Sequence, residues 1–176
     1  MQLHGEIFRT VVASTPLVSI DLVVENRHGE ILLGLRNNRP AQGDWFVSGG
    51  RILKNESLNA AFARLTNVEL GVELQRDTAA ALGVHEHFYD DSVFGDGLDT
   101  HYVVLAYHLK LDPDLSELPT DQHRDYRWWP QAELLADERV HSNSRAYLQS
   151  LRGVRRGCGK WDAAQAYGSA LSVSDI

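Results

Sequence analysis

Cysteine is almost absent from this chain. Cys158 is the only one, so no disulfide can close within the molecule, and a reducing cytoplasm is the expected setting. Cys158 itself has no neighbouring base or helix context that would make it a nucleophile. No apolar run approaches the length of a membrane span, so no membrane partner is expected. The first residues, MQLHGEIFRT, lack the apolar core of a cleavable signal. Basic residues are outnumbered, 17 against 24 acidic, for a net charge of −7. That balance argues against a nucleic-acid partner, which needs a basic surface. It leaves room for a small polyanionic ligand, because a few arginines or a bound metal can hold phosphates on an acidic protein. No internal repeat is present.

What remains is an ordinary globular composition, 43% hydrophobic and 23% charged over 176 residues, enough for one domain with a substantial core. We expect residues 1–152 to form that domain. Residues 153–176 are rich in Gly, Ser and Ala and are expected to be a partly disordered tail. Residues 17–24 (LVSIDLVV) read as a strand with Ser19 and Asp21 on its polar face. A turn at 26–30 returns the chain as a hairpin partner at 31–35. Residues 37–43 read as a loop and 45–47 as a short strand ending at Gly49-Gly50. Further strands are expected at 79–87, 101–111 and 126–129. Helices are expected at 57–70, closed by Gly71, at 130–136 after Pro130, and at 143–151. Residues 88–100 (FYDDSVFGDGLDT) read as a polar loop. Their aspartates do not have EF-hand spacing, and a solvated flap is the expectation. Trp128 and Trp129 are expected in the core and its interfaces. The order of elements implies an α/β (α+β) fold, a mixed sheet with helices on both sides.

The helix at 57–70 carries one discordant residue. Leu58, Ala61, Phe62 and Leu65 mark its apolar stripe, and Glu69 falls in the centre of that stripe. A carboxylate buried alone is costly, so a cationic partner is expected. Reading outward, Gly50, Glu56, Arg64, Glu69 and Gly71 stand at fixed spacings, with Val72 after them. This resembles the Nudix box, G-x5-E-x7-R-E-U-x-E-E-x-G-U. The box usually carries two further glutamates, where this chain has Leu65 and Val68. Fewer carboxylates imply fewer ions held, and one Mg²⁺ is expected. With the segments HFYDD (87–91), THYVVL (100–105), DQHRDYRW (121–128) and NSRAY (143–147), the chain is similar to the GDP-mannose mannosyl hydrolase branch of the Nudix superfamily across roughly residues 8–151.

That resemblance implies the Nudix fold, a homodimer and a nucleotide-sugar substrate. It also implies hydrolysis of GDP-mannose to GDP and free sugar, by attack of water on the anomeric carbon with inversion. It assigns the metal to the Gly49 carbonyl, the Glu69 side chain and the Gln122 amide, and the general base to His123. Arg36, Arg51, Arg64 and Tyr102 become candidates for the diphosphate. Asp21 and His87 fall near the sugar. Arg64 has a second reading, a salt bridge to Glu56, which is left open; Glu56 is read as structural. Ser48 stands where the family has proline and is expected to loosen the turn that aims Gly49. Asp44 replaces a common aromatic and is expected to alter the pocket rim. Two alternatives remain: a conventional Nudix pyrophosphatase attacking phosphorus, against which Leu65 and Val68 speak, and a non-catalytic nucleotide-sugar-binding domain. Product analysis separates the first, turnover in Mg²⁺ the second.

Overall fold

The structure, a computed structural model, describes residues 5–157; most of the tail read as partly disordered lies outside the described residues. Among them eleven α-helices and β-strands follow in order: α1 (Gly5–Ser14), β1 (Leu17–Glu25), β2 (Ile31–Arg36), β3 (Trp45–Phe46), β4 (Ser48–Arg51), α2 (Leu58–Leu70), β5 (Ala80–Ser92), β6 (Gly95–Lys110), β7 (His123–Trp129), α3 (Gln131–Ala136) and α4 (Ser142–Gly157).

The strands form one mixed sheet in the order β3-β2-β1-β6-β5, with β4 added to β1 and β7 to β2. β1 is the hub. It runs parallel to β6 from Leu17↔Tyr102 to Glu25↔Lys110. On its other side it meets β2 at Glu25↔Ile31 and then β4 over Ser19↔Arg51 to Leu22↔Ser48. The LVSIDLVV segment is thus covered on both faces. Ile20, Leu22 and Val24 enter a core with Phe62, Leu65 and Tyr107 beneath α2. Val23 enters a second core with Trp129, Leu134, Tyr147 and Leu148 beneath α3 and α4. Helices on both sides of a mixed sheet are what the sequence leads one to expect. Trp129 is wholly buried.

The box helix α2 is bounded by local chemistry. Ser57 caps its N-terminus by accepting from the Ala60 N–H at 3.2 Å. Gly71, at φ 72°, ends it in the left-handed conformation. Phe62 and Leu65 are buried, each contributing about 2 kcal/mol of apolar burial. Leu58 is not part of the buried stripe; it is 41% exposed.

Three expectations are corrected. Residues 88–100 are not a loop: β5 and β6 continue as one hairpin through Phe88↔His101, Tyr89↔Thr100 and Asp91↔Asp96. Gly95, at φ +98°, supplies the backbone that closes its tip. Thr100 Oγ1 donates to the Asp91 carbonyl at 2.7 Å, and the Arg39 guanidinium joins the carboxylates of Asp91 and Asp96, offsetting the like charges that made the segment read as solvated. Second, a helix precedes β1, where no element is expected. α1 buries Val12 and packs Phe8 on Phe94, with ring centroids 5.6 Å apart. Third, α4 does not stop near residue 151 but continues to Gly157, so the tail begins in helix.

Candidate functional site

Where β1 and β4 pair, Asp21 lies opposite Gly49. The approach is tight. A Cβ on Gly49 would stand 2.5 Å from the Ile20 carbonyl and 2.8 Å from Asp21 Oδ1, and one on Gly50 would stand 2.7 Å from Leu65 Cδ2. The double glycine is therefore what lets the strand carrying Asp21, the β4 backbone and α2 converge. Ser48, the departure from the family's proline, is buried and in register with Leu22. Asp44 lies 4.0 Å from His141 Nε2 and is not part of the cleft wall described next.

A cleft of about 710 Å³ opens beside this junction, a size suited to a nucleotide-scale ligand. Of the ten residues expected at the site, seven line it: Asp21, Arg36, Gly49, Arg51, His87, Tyr102 and Gln122. Three stand behind its walls. Arg64 donates to both Glu56 oxygens, at 2.6 and 2.9 Å, and to the Arg51 carbonyl at 2.8 Å. Of its two readings, the structural bridge is the one observed, because these bonds occupy its fork and tie α2 to the end of β4. Glu69 is 2% exposed and accepts from Gln122 Nε2 at 2.8 Å. His123 is fully buried; its Nδ1 is 3.3 Å from the Tyr126 hydroxyl and 3.7 Å from Glu69 Oε2, and its Nε2 has no hydrogen-bond partner among the described residues.

Burial dominates the electrostatics. Desolvation pushes Glu69 up to about 7, with Arg36 opposing and Asp21 and Asp121 adding to the rise. Desolvation pushes Asp21 up to about 6, against the hydrogen bond from Tyr147 and the nearby Arg36 charge. His123 is driven down to about 4 by burial, with Arg36 adding to the fall, so beside Glu69 it is a neutral imidazole and the contact is not an ion pair. His87 falls to about 4 for the same first reason, with His141 and His85 adding. Arg36 closes the base of the 37–43 loop: its Nε donates to the Pro40 carbonyl at 3.0 Å. Arg51 stacks over Phe8, 4.0 Å from the ring centroid.

These groups suit a cation. Two buried carboxylates, both raised by desolvation and with Asp21 adding to the rise at Glu69, mark a place where a divalent ion would supply positive charge. Among the described residues no three His, Cys, Asp or Glu are gathered to hold a metal; the donor set that the resemblance implies is the Gly49 carbonyl, the Glu69 carboxylate and the Gln122 amide. All three offer oxygen, the donor that Mg²⁺ takes. Gln122 at present turns its NH₂ toward Glu69.

Sequence reasoning missed Arg39, Phe46 and Tyr89, which also line the cleft. It also gave no role to Asn143 and Tyr147 of α4, which bond into its floor. Asn143 and Tyr147 are four apart in NSRAY, one face of a helix, and that spacing was the available signal. Arg39 offered none, because its partners Asp91 and Asp96 are set by the hairpin.

Comparison with known proteins places this geometry. A NUDIX domain model matches residues 15–151. The low-salt glycan biosynthesis protein Agl8 of Haloferax volcanii is 45% identical over 117 residues, 66% of this chain and 72% of that protein. Among solved structures, the MutT protein from Methanosarcina mazei Go1 superposes with a TM-score of 0.63 at 21% identity, over 82% of this chain and 97% of that one; at that identity the likeness speaks for the fold alone. The MutT Nudix hydrolase from Burkholderia pseudomallei gives 0.61 at 27% identity, over 78% and 99%. From the box on α2 to the sheet that carries it, the chain belongs to the Nudix hydrolase family.

Proposed function

We propose that this Nudix hydrolase cleaves a nucleoside diphosphate sugar, GDP-mannose first among candidates, into GDP and free sugar by attack of water on the anomeric carbon with inversion. One observation carries the reading: α2 presents a single box carboxylate, Glu69. Leu65 is packed against Gly50 in the core, and Val68 is 43% exposed to solvent. The multi-ion cluster that suits attack on phosphorus has lost two of its ligands. The name of the Haloferax volcanii relative ties that protein to glycan biosynthesis, a process that draws on activated sugars.

Gly49, Glu69 and Gln122 would hold one Mg²⁺, and the ion when bound supplies Lewis acidity to the departing diphosphate. Arg36 and Arg51 bind the diphosphate oxygens from the cleft wall, and Tyr102 adds a hydrogen bond. Asp21, in the cleft lining, supports positive charge growing at the anomeric carbon. His87, neutral, helps to fix the sugar end. His123 is neutral at pH 7 and so free to accept a proton. Its ring lies behind the wall beside Glu69, so it serves as base only if the segment carrying Gln122 and His123 shifts. The homodimer and the cytoplasmic location belong to the same proposal; sedimentation tests the first.

Hydrolysis of GDP-mannose with Mg²⁺ in ¹⁸O-labelled water is the deciding experiment. Label on mannose with unlabelled GDP supports the proposal. Label on GMP or mannose 1-phosphate makes the chain a conventional pyrophosphatase, and affinity without turnover makes it a binding domain.

A further inference from the structure

Tyr147 reaches the cleft floor from α4. Its side chain is fully buried, and its hydroxyl touches two cleft residues at once, Asp21 Oδ2 at 2.6 Å and His87 Nε2 at 3.0 Å. The chain continues on the other side of the imidazole. The Tyr89 hydroxyl lies 3.4 Å from His87 Nδ1, and Asn143 Nδ2 donates to that same hydroxyl at 3.2 Å.

Counting hydrogens gives this chain a direction. A phenol has one proton to donate. At 2.6 Å from a carboxylate, which only accepts, that proton belongs between Tyr147 and Asp21. The Tyr147 oxygen must then accept from His87 Nε2, so His87 carries its proton there. Nδ1 is left as an acceptor, Tyr89 donates to it, and Tyr89 in turn accepts from Asn143. Each member donates once in the same sense, and the chain ends on Asp21. The opposite direction would put a phenol lone pair against the carboxylate at 2.6 Å.

We propose that Tyr147 is a positioning residue: by committing its proton to Asp21 it fixes His87 as the Nε2–H tautomer and leaves Asp21 Oδ1, on the Gly49 side, as the carboxylate oxygen that serves the cleft. His87 then has both nitrogens committed within the protein, and it acts on a ligand through the placement of Asp21. That placement matters for catalysis only on the glycosyl-transfer reading above; the tautomer does not depend on it.

The test uses the full chain with ¹⁵N-labelled histidine, and His87 is assigned by its loss in His87→Gln. At pH 7 the His87 signals should be those of a protonated Nε2 and an unprotonated Nδ1. In Tyr147→Phe the single tautomer should give way to a mixture, and kcat should fall about tenfold with KM little changed. Tyr89→Phe should keep the Nε2–H form. An Nδ1–H tautomer in the unsubstituted chain, an unchanged tautomer in Tyr147→Phe, or a switch caused by Tyr89→Phe alone would each overturn the assignment. Should Tyr147→Phe not fold, the tautomer of the unsubstituted chain still decides. A chain that leaves GDP-mannose uncleaved but shows this NMR pattern would refute the reaction and keep the hydrogen-bond order.

Discussion

The His123 side chain lies over Gly34, whose own partner in the β2–β7 ladder is Tyr126, with no space for a side chain on the glycine: a Cβ there would stand 2.8 Å from the His123 Cβ and closer still to its ring. The ladder shifts register between Gly34 and Arg36, where Arg36 pairs with His123. Gly34→Ala must therefore push out a buried imidazole or bend the strand. It should cost about 1–3 kcal/mol, read as a lower urea midpoint at unchanged slope. Unchanged stability would mean that His123 moves aside without cost.

His123→Ala probes the proposed base. Because the ring is buried and does not itself line the cleft, substrate affinity should hardly change while kcat falls about 10²-fold or more. A variant with the parent rate would place the base elsewhere.

Leu65→Glu restores one glutamate of the usual box, yet it should not restore an ion site. Leu65 is 2% exposed and meets Gly50 within the α2 core. An uncompensated carboxylate there should cost about 3–5 kcal/mol. Calorimetry would show early unfolding; a stable variant that binds a second Mg²⁺ would contradict the packing described.

Glu69 makes stability depend on pH in a defined sense. Its folded pKa, about 7, lies above the ordinary 4.5, so the folded protein keeps a proton that the unfolded chain has lost. Without metal, stability should fall as pH rises across that window, by at most about 1.4 kcal/mol per unit, and then level off. Glu69→Gln should flatten this part of the profile, leaving the smaller Asp21 component below pH 6, and should remove stabilisation by Mg²⁺. A profile from urea titrations at pH 5 to 8 that is identical in both proteins would remove Glu69 as its source.

The Arg64–Glu56 bridge works in the opposite direction. The hydrogen bonds from Arg64, ahead of the backbone N–H of Leu53, hold Glu56 below its ordinary pKa. Its contribution is present above about pH 4.5 and is lost as pH falls through the lowered value. Arg64→Gln should cost about 1–2 kcal/mol at pH 7, with the gap to the parent closing in acid. A loss of substrate affinity at full stability would instead favour phosphate contact.

The box residues were legible because their chemistry is local. Ser57, Gly71 and the Phe62–Leu65 stripe define a helix wherever they occur, and Glu69 stands out against that stripe. The β5–β6 tip was not legible because its aspartates look solvated until Arg39 arrives from 52 residues away in sequence. The parallel pairing of β1 with β6 joins segments 85 residues apart, Leu17 to Tyr102, and strand propensity says nothing about partners. α1 was missed because its apolar residues gain meaning only where Phe8 meets Phe94 and Arg51. Tyr147 was overlooked for the same reason: a tyrosine on an amphipathic helix reads as core until the carboxylate at its tip is seen.

The bond from Tyr147 to Asp21 spans 126 positions. A nascent chain therefore cannot complete this floor of the cleft until almost the whole domain has emerged, and long-range closure of this kind is slow. Fragments ending before α4 should collapse without acquiring the Tyr147–Asp21 bond that completes the cleft floor.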